Sequence, residues 1–151
     1  MSVHRIPLFK EQWRIYAIVC ESSEQDFVVK IGVTSTPYER YQQLLCGIPF
    51  DSVMLYAMVG YKSRAYGLES QLHRLFSDRH MRGEWFRFKL EDKEAFHQTM
   101  KNAYLALIKA PLKWEQITPE QVAANVTARM AFKKKYGSGR KNMEWNRYRN
   151  G

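Results

Sequence analysis

The chain has 151 residues, 45% of them apolar and 14% aromatic, which excludes a disordered polypeptide and allows one domain with a real core, with or without a small appendage. Its 24 Lys+Arg outnumber 15 Asp+Glu, giving a formal charge of +9, a balance that favours a polyanionic partner such as nucleic acid or an anionic membrane surface. No stretch approaches the length of a membrane span and "MSVHRIPLFKEQ" has no apolar leader run, so a soluble, cytoplasmic protein is expected, with Cys20 and Cys46 as reduced thiols.

In chain order, "RIYAIVC" (14–20) and "FVVKIGV" (27–33) are apolar runs across a short polar connection, and predict a β-hairpin. "TPYERYQQLLCG" (36–47) predicts a helix with Thr36 as N-cap, Pro37 first, Glu39 closing a capping box and Gly47 at the end. "SVMLYAMVGY" (52–61) predicts the third strand. Ala65, Leu68, Leu72, Leu75 and Phe76 recur at helical spacing over 63–79, with Ser63 as a possible cap. "GEWFRF" (83–88) is a short aromatic strand or extended segment. Phe96, Met100, Ala103, Tyr104 and Leu107 mark one face of a helix over 91–110 that Pro111 terminates.

The order β-β-α-β-α-(β)-α predicts an α+β fold, a small antiparallel sheet flanked by helices, over residues 10–110. Residues 111–151 differ in composition. They hold nine Lys+Arg against three Asp+Glu and open with "TPEQ" (118–121), a second capping-box helix start. Lys133, Lys134, Lys135, Arg140, Lys141, Arg147 and Arg149, with Tyr136, Trp145 and Tyr148 among them, predict a basic, partly helical extension that tracks phosphates and stacks on bases.

Some polar residues resist a packing explanation. Strand alternation puts Tyr16 on the face of Ile18, and Lys30 on the face of Val28 and Gly32, both in interior positions of an apolar hairpin. A charge buried without a partner is costly, so Lys30 needs a reason. Arg40 follows Gly32 by eight residues in the next helix, and Glu69 and His73 stand at i and i+4 on one helical face. A cation, a carboxylate and a candidate base are the parts that phosphodiester hydrolysis uses. Taken singly, each has an ordinary reading: a core tyrosine, an edge lysine that blocks aggregation, a surface ion pair, a solvated helix face. His4, His80 and His97 are read as ordinary, and Trp85 and Phe86 as packing residues.

Together these residues resemble the GIY-YIG nuclease superfamily, in its virus-associated branch that pairs a K-I-G second motif with E-x-x-x-H and G-E-W-F. "RIY" (14–16), "KIG" (30–32), Arg40, Glu69 of "LESQLH" and "GEWF" (83–86) stand in order over residues 13–88. The resemblance implies a three-stranded antiparallel sheet flanked by helices and a DNA endonuclease using one divalent ion, Mg²⁺ or Mn²⁺, held by Glu69. It implies that Arg40 stabilises phosphate charge. Lys30 stands where that family has a tyrosine thought to activate water, which opens the identity of the base: Lys30, favoured, or His73, with Tyr16 orienting water or phosphate. A monomer with one such site would nick one strand. The expected partner is DNA, without a membrane, and the expected setting is the cytoplasm of a bacterial host for a phage or mobile element. The alternative is a catalytically inactive nucleic-acid-binding protein on the same fold.

Overall fold

The structure, a computed structural model, describes residues 12–136. β1 (Trp13–Glu21) is flanked antiparallel by β2 (Asp26–Thr34) and by β3 (Ser52–Gly60). α1 (Pro37–Leu45) joins β2 to β3, and α2 (Lys62–Leu75) follows β3. β4 (His80–Arg82) and β5 (Trp85–Lys89) form a hairpin around Gly83, whose φ of +59° glycine adopts at no cost. α3 (Lys93–Ile108), β6 (Glu115–Ile117) and α4 (Pro119–Tyr136) complete the described chain.

The sheet has six strands in the order β4-β5-β2-β1-β3-β6, all pairs antiparallel, rather than the three expected. The expected three form its centre. β4 and β6 have three residues each and are largely polar, so neither carries a readable period; they form because β5 and β3 offer free edges.

The sheet is apolar on both faces. One face presents Ile15, Ala17 and Val19 of β1 with Phe27, Val29 and Ile31 of β2 to Leu68 and Leu72 of α2 and Phe96 and Met100 of α3. Phe27, Phe76, Phe88 and Phe96 meet there with ring centroids 5.1–5.8 Å apart. The opposite face presents Tyr16, Ile18 and Cys20 with Val28 and Met54 to Tyr41 of α1, Ile117 of β6 and Val122 of α4. The segment after Pro111 therefore supplies fully buried core on this second face. Among the described residues no helix is long and apolar enough to cross a membrane. Cys20 and Cys46 are free thiols, and burial raises the pKa of Cys20 to about 11.

Helix ends show where local signals succeed and where they are overridden. At α4 the capping box forms on both sides: Gln121 N–H donates to Thr118 Oγ1 at 3.2 Å, and Thr118 N–H donates to Gln121 Oε1 at 2.8 Å. At α1 it does not. Thr36 makes no side-chain cap, and Glu39 pairs with Arg129 of α4 at 3.1 Å. That partner lies 90 residues away, beyond the reach of a local pattern. α2 starts one residue before the expected cap Ser63, at Lys62, and its expected last turn is a separate 3-10 turn, Ser77–Arg79. α3 ends on Lys109 in the left-handed conformation (φ +67°) ahead of Pro111.

Phe96→Ala should lower the unfolding free energy by about 3–5 kcal/mol, and Ile117→Ala by about 2–5 kcal/mol, in urea titrations followed by circular dichroism. An Ile117→Ala change within about 0.5 kcal/mol of zero would show that β6 is not part of the cooperative core.

Candidate active site

The site lies where β5 stops. β2 pairs with β5 from Asp26 to Lys30, Lys30 facing Trp85, and Ile31 N–H still donates to Glu84 carbonyl oxygen at 3.1 Å. Beyond that point, among the described residues, the outer edge of β2 has no strand beside it. α2 fills the gap: His73 Nε2 donates to the Ile31 carbonyl at 3.0 Å, taking the place of a ladder partner. Its ring packs edge-on against Phe86 with centroids 5.0 Å apart. One turn earlier on the same helix, Glu69 reaches the carboxyl group of Glu84 and shares a hydrogen bond with it.

Tyr16 is the residue around which the rest is arranged. It is 1% exposed and lies opposite Gly32 in the β1–β2 register. A Cβ at Gly32 would stand 2.5 Å from Tyr16 Oη and 2.6 Å from Cζ, so only glycine leaves room for the ring to cross the strand. Gly32 is required by that crossing, whereas the backbone there is ordinary. Arg40 approaches from α1, its Nε donating to Tyr16 Oη at 3.4 Å. α1 is held in place to do this by its neighbours: Tyr41 is fully buried and its hydroxyl bonds Ser52 Oγ at 2.6 Å, while Glu39 is tied to Arg129.

Lys30 is only 11% exposed and its charge is matched: Nζ lies 3.0 Å from Glu84 Oε1 and 5.7 Å from the centre of the Trp85 ring. Glu84 therefore touches both Lys30 and Glu69. Burial, then the charge and hydrogen bond of Glu84, raise the pKa of Glu69 to about 7, against a smaller opposing pull from Lys30. Burial likewise pushes the Tyr16 hydroxyl above its ordinary value, although Arg40 opposes this through its hydrogen bond and charge. Tyr16 is thus a phenol at neutral pH, able to donate its proton to a bound oxygen while accepting from Arg40.

The structure brings Tyr16, Lys30, Arg40 and Glu69 together, with His73 on the neighbouring turn of α2 but engaged with β2 backbone through Nε2. Two residues were not expected. Glu84 and Trp85 both stand in "GEWF", which in the sequence marks the family resemblance without giving the carboxylate a role of its own and leaves the indole as a packing residue. A charge directly before an aromatic strand was the available signal. Lys133 lies beside Gln42 and Arg129 at a shallow hollow between α1 and α4, and Lys134 and Lys135 are exposed near the end of α4. Arg140, Lys141, Arg147 and Arg149 lie outside the described residues.

The donors can be tested against a divalent ion. Among the described residues no group of three or more His, Cys, Asp and Glu side chains has metal-site geometry. Mg²⁺ keeps several waters and takes one or two carboxylates, a demand that Glu69 and Glu84 can meet. Two carboxyl groups held close enough to share a proton are also a pair that a cation would relieve.

Two measurements check this geometry. Because the folded pKa of Glu69 lies above its unfolded value, the unfolded state holds fewer protons between about pH 4.5 and 7, and the fold loses stability as pH rises through that window. In EDTA, Glu69→Gln should raise the melting temperature at pH 8 and change it little at pH 4; equal shifts at both would refute the raised pKa. Gly32→Ala should destabilise by about 1–3 kcal/mol through overpacking against Tyr16, and Tyr16→Leu in the same chain should recover part of the loss.

No curated protein and no solved structure matched the chain. The family model of the T5orf172 domain, a phage-associated domain with a nuclease-like fold, matches residues 14–101, which span β1 to the middle of α3 and include Tyr16, Lys30, Arg40, Glu69, His73 and Glu84. The chain belongs to the T5orf172 domain family.

Proposed function

We propose that the protein is a metal-dependent endonuclease that hydrolyses DNA phosphodiester bonds, with the GIY-YIG type of site. The observation that carries the reading is the convergence of two cations, a phenol and a carboxylate pair at the open edge of β2, on a nuclease-like domain. A scissile phosphate would sit between Arg40 and Lys30, which offset the charge that builds on its oxygens during attack. Tyr16, a proton donor held by Arg40, would orient a phosphate oxygen or the attacking water. Glu69, with Glu84 beside it, would hold Mg²⁺ or Mn²⁺, supplying Lewis acidity and charge neutralisation at the phosphate.

The geometry also bears on the base. His73 commits Nε2–H to the Ile31 carbonyl, so its ring is fixed by backbone and leaves Nδ1 as its sole acceptor. Lys30 stands 3.0 Å from a carboxylate, engaged in an ion pair, a setting that suits a phosphate ligand. Lys30 thus acts chiefly as a cation in this reading. The second reading, an inactive nucleic-acid-binding protein, also draws on the Lys30–Glu84 pair, since a lysine engaged there does no proton transfer.

Purified protein incubated with supercoiled plasmid and Mg²⁺ should yield open-circular DNA, and none in EDTA. Glu69→Ala and Arg40→Ala should each reduce cleavage at least 10²-fold, in the range of losing one electrostatic contributor to a transition state. Lys30→Arg should retain most activity where Lys30→Met loses it. Equal loss in both would make Lys30 the proton acceptor, since Arg cannot be deprotonated. Salt-sensitive DNA binding with no cleavage of any plasmid tested, phage DNA included, would favour the inactive binder.

A further inference from the structure

Next to the site, on the same face of the sheet, lies a hollow of about 270 Å³ lined chiefly by Val28, Ile48, Phe50, Met81, Trp85 and Arg87. Its floor continues the site without a break. Val28 and Arg87 are register partners on β2 and β5, and the next pair on that face is Lys30 with Trp85. At a rise of about 3.4 Å per residue the hollow is centred roughly 7 Å along the strand from Lys30. Trp85 belongs to both places, lining the hollow while its ring sits 5.7 Å from Lys30 Nζ.

The lining has a pattern that packing does not need. Phe50 is 42% exposed and Met81 is 45% exposed, although they come from different segments, the α1–β3 connection and β4. Two large apolar side chains open to solvent around one concave surface mark a place that something apolar occupies. A cation, Arg87, stands at the same hollow and the phosphate site proposed above, with Arg40 and Lys30, is adjacent, so an occupant that carries negative charge beside a flat apolar body fits both. A nucleotide has that construction.

We propose that this hollow receives a nucleobase unstacked from the nucleic acid, while the phosphate attached to it is held by Lys30 and Arg40. The proposal rests on the phosphate-binding reading of the site given above. Trp85 and Phe50 supply aromatic surface for the base and Met81 supplies adaptable apolar contact, replacing part of the stacking the base gives up in leaving its neighbours. Base insertion would fix which phosphate lies between Arg40 and Lys30, coupling cleavage to the identity or the unpaired state of one nucleotide.

The test uses the full chain in EDTA, labelled with ¹⁵N, titrated with each of the four deoxynucleoside 5′-monophosphates and with 2-deoxyribose 5-phosphate. Two signals are read: the Trp85 indole N–H, assigned by its loss in Trp85→Phe, and the Arg40 Nε–H. At least one nucleotide should shift both signals and bind at least tenfold more tightly than the sugar phosphate, which should shift Arg40 alone. Phe50→Ala and, independently, Met81→Ala should remove that tenfold advantage and leave the Arg40 response in place. If Arg40 responds to every ligand while Trp85 responds to none, or if nucleotide and sugar phosphate bind equally, the base pocket is wrong and the phosphate site stands. If neither signal moves, both readings fall. A Trp85 response without one at Arg40 would keep the pocket and remove the proposed phosphate contact.

Discussion

β5 stops pairing with β2 at Lys30, and everything distinctive about this protein is built in the space that this early stop leaves. An antiparallel strand whose neighbour ends exposes donors and acceptors that must be satisfied by something else. Here His73 of α2 takes the Ile31 carbonyl and the Glu84 carbonyl takes the Ile31 N–H. By approaching the sheet edge, α2 also brings Glu69, one turn away, to Glu84. A helix whose buried residues face the phenylalanine core thus contributes a carboxylate to a polar site at the edge of β2.

The second constraint is steric. Tyr16 and Gly32 are cross-strand partners, and the phenol crosses the strand in the volume where any side chain on residue 32 would begin. The K-I-G arrangement is therefore a space requirement on one face together with a charge placed two residues earlier on that face. Lys30 is tolerable there because Glu84 neutralises it and Trp85 offers its ring, so that two residues of one short aromatic segment make a nearly buried ammonium affordable. Burial, and then the charge and hydrogen bond of Glu84 beside it, raise the pKa of Glu69 to about 7.

The segment beyond the family match does structural work. β6 extends the sheet at β3, Ile117 and Val122 close the second core, and Arg129 ties α4 to Glu39, the residue before Arg40. The helix that carries Arg40 is thereby braced by the part of the chain with the highest positive charge. Lys133 emerges along the same helix beside Gln42 of α1, on a surface continuous with that brace.

Much of this was legible in the amino-acid order. The three central strands, the four helices and the inward placement of Tyr16 and Lys30 follow from period and alternation, which are local properties that hydrophobic burial enforces within each element. The box at Thr118 and Gln121 was legible for the same reason, since its partners are three residues apart. What the sequence by itself determined was which elements exist and which face of each is apolar. The tertiary structure alone decided where strands end and who sits opposite whom. Glu39 abandoned its local cap for Arg129, the short strands β4 and β6 arose from free sheet edges, and Glu84 became the link between Lys30 and Glu69. Those outcomes depend on groups far apart in the chain competing for one partner in space, and electrostatic and hydrogen-bond energies are set by that final distance and burial, which no spacing along the chain encodes.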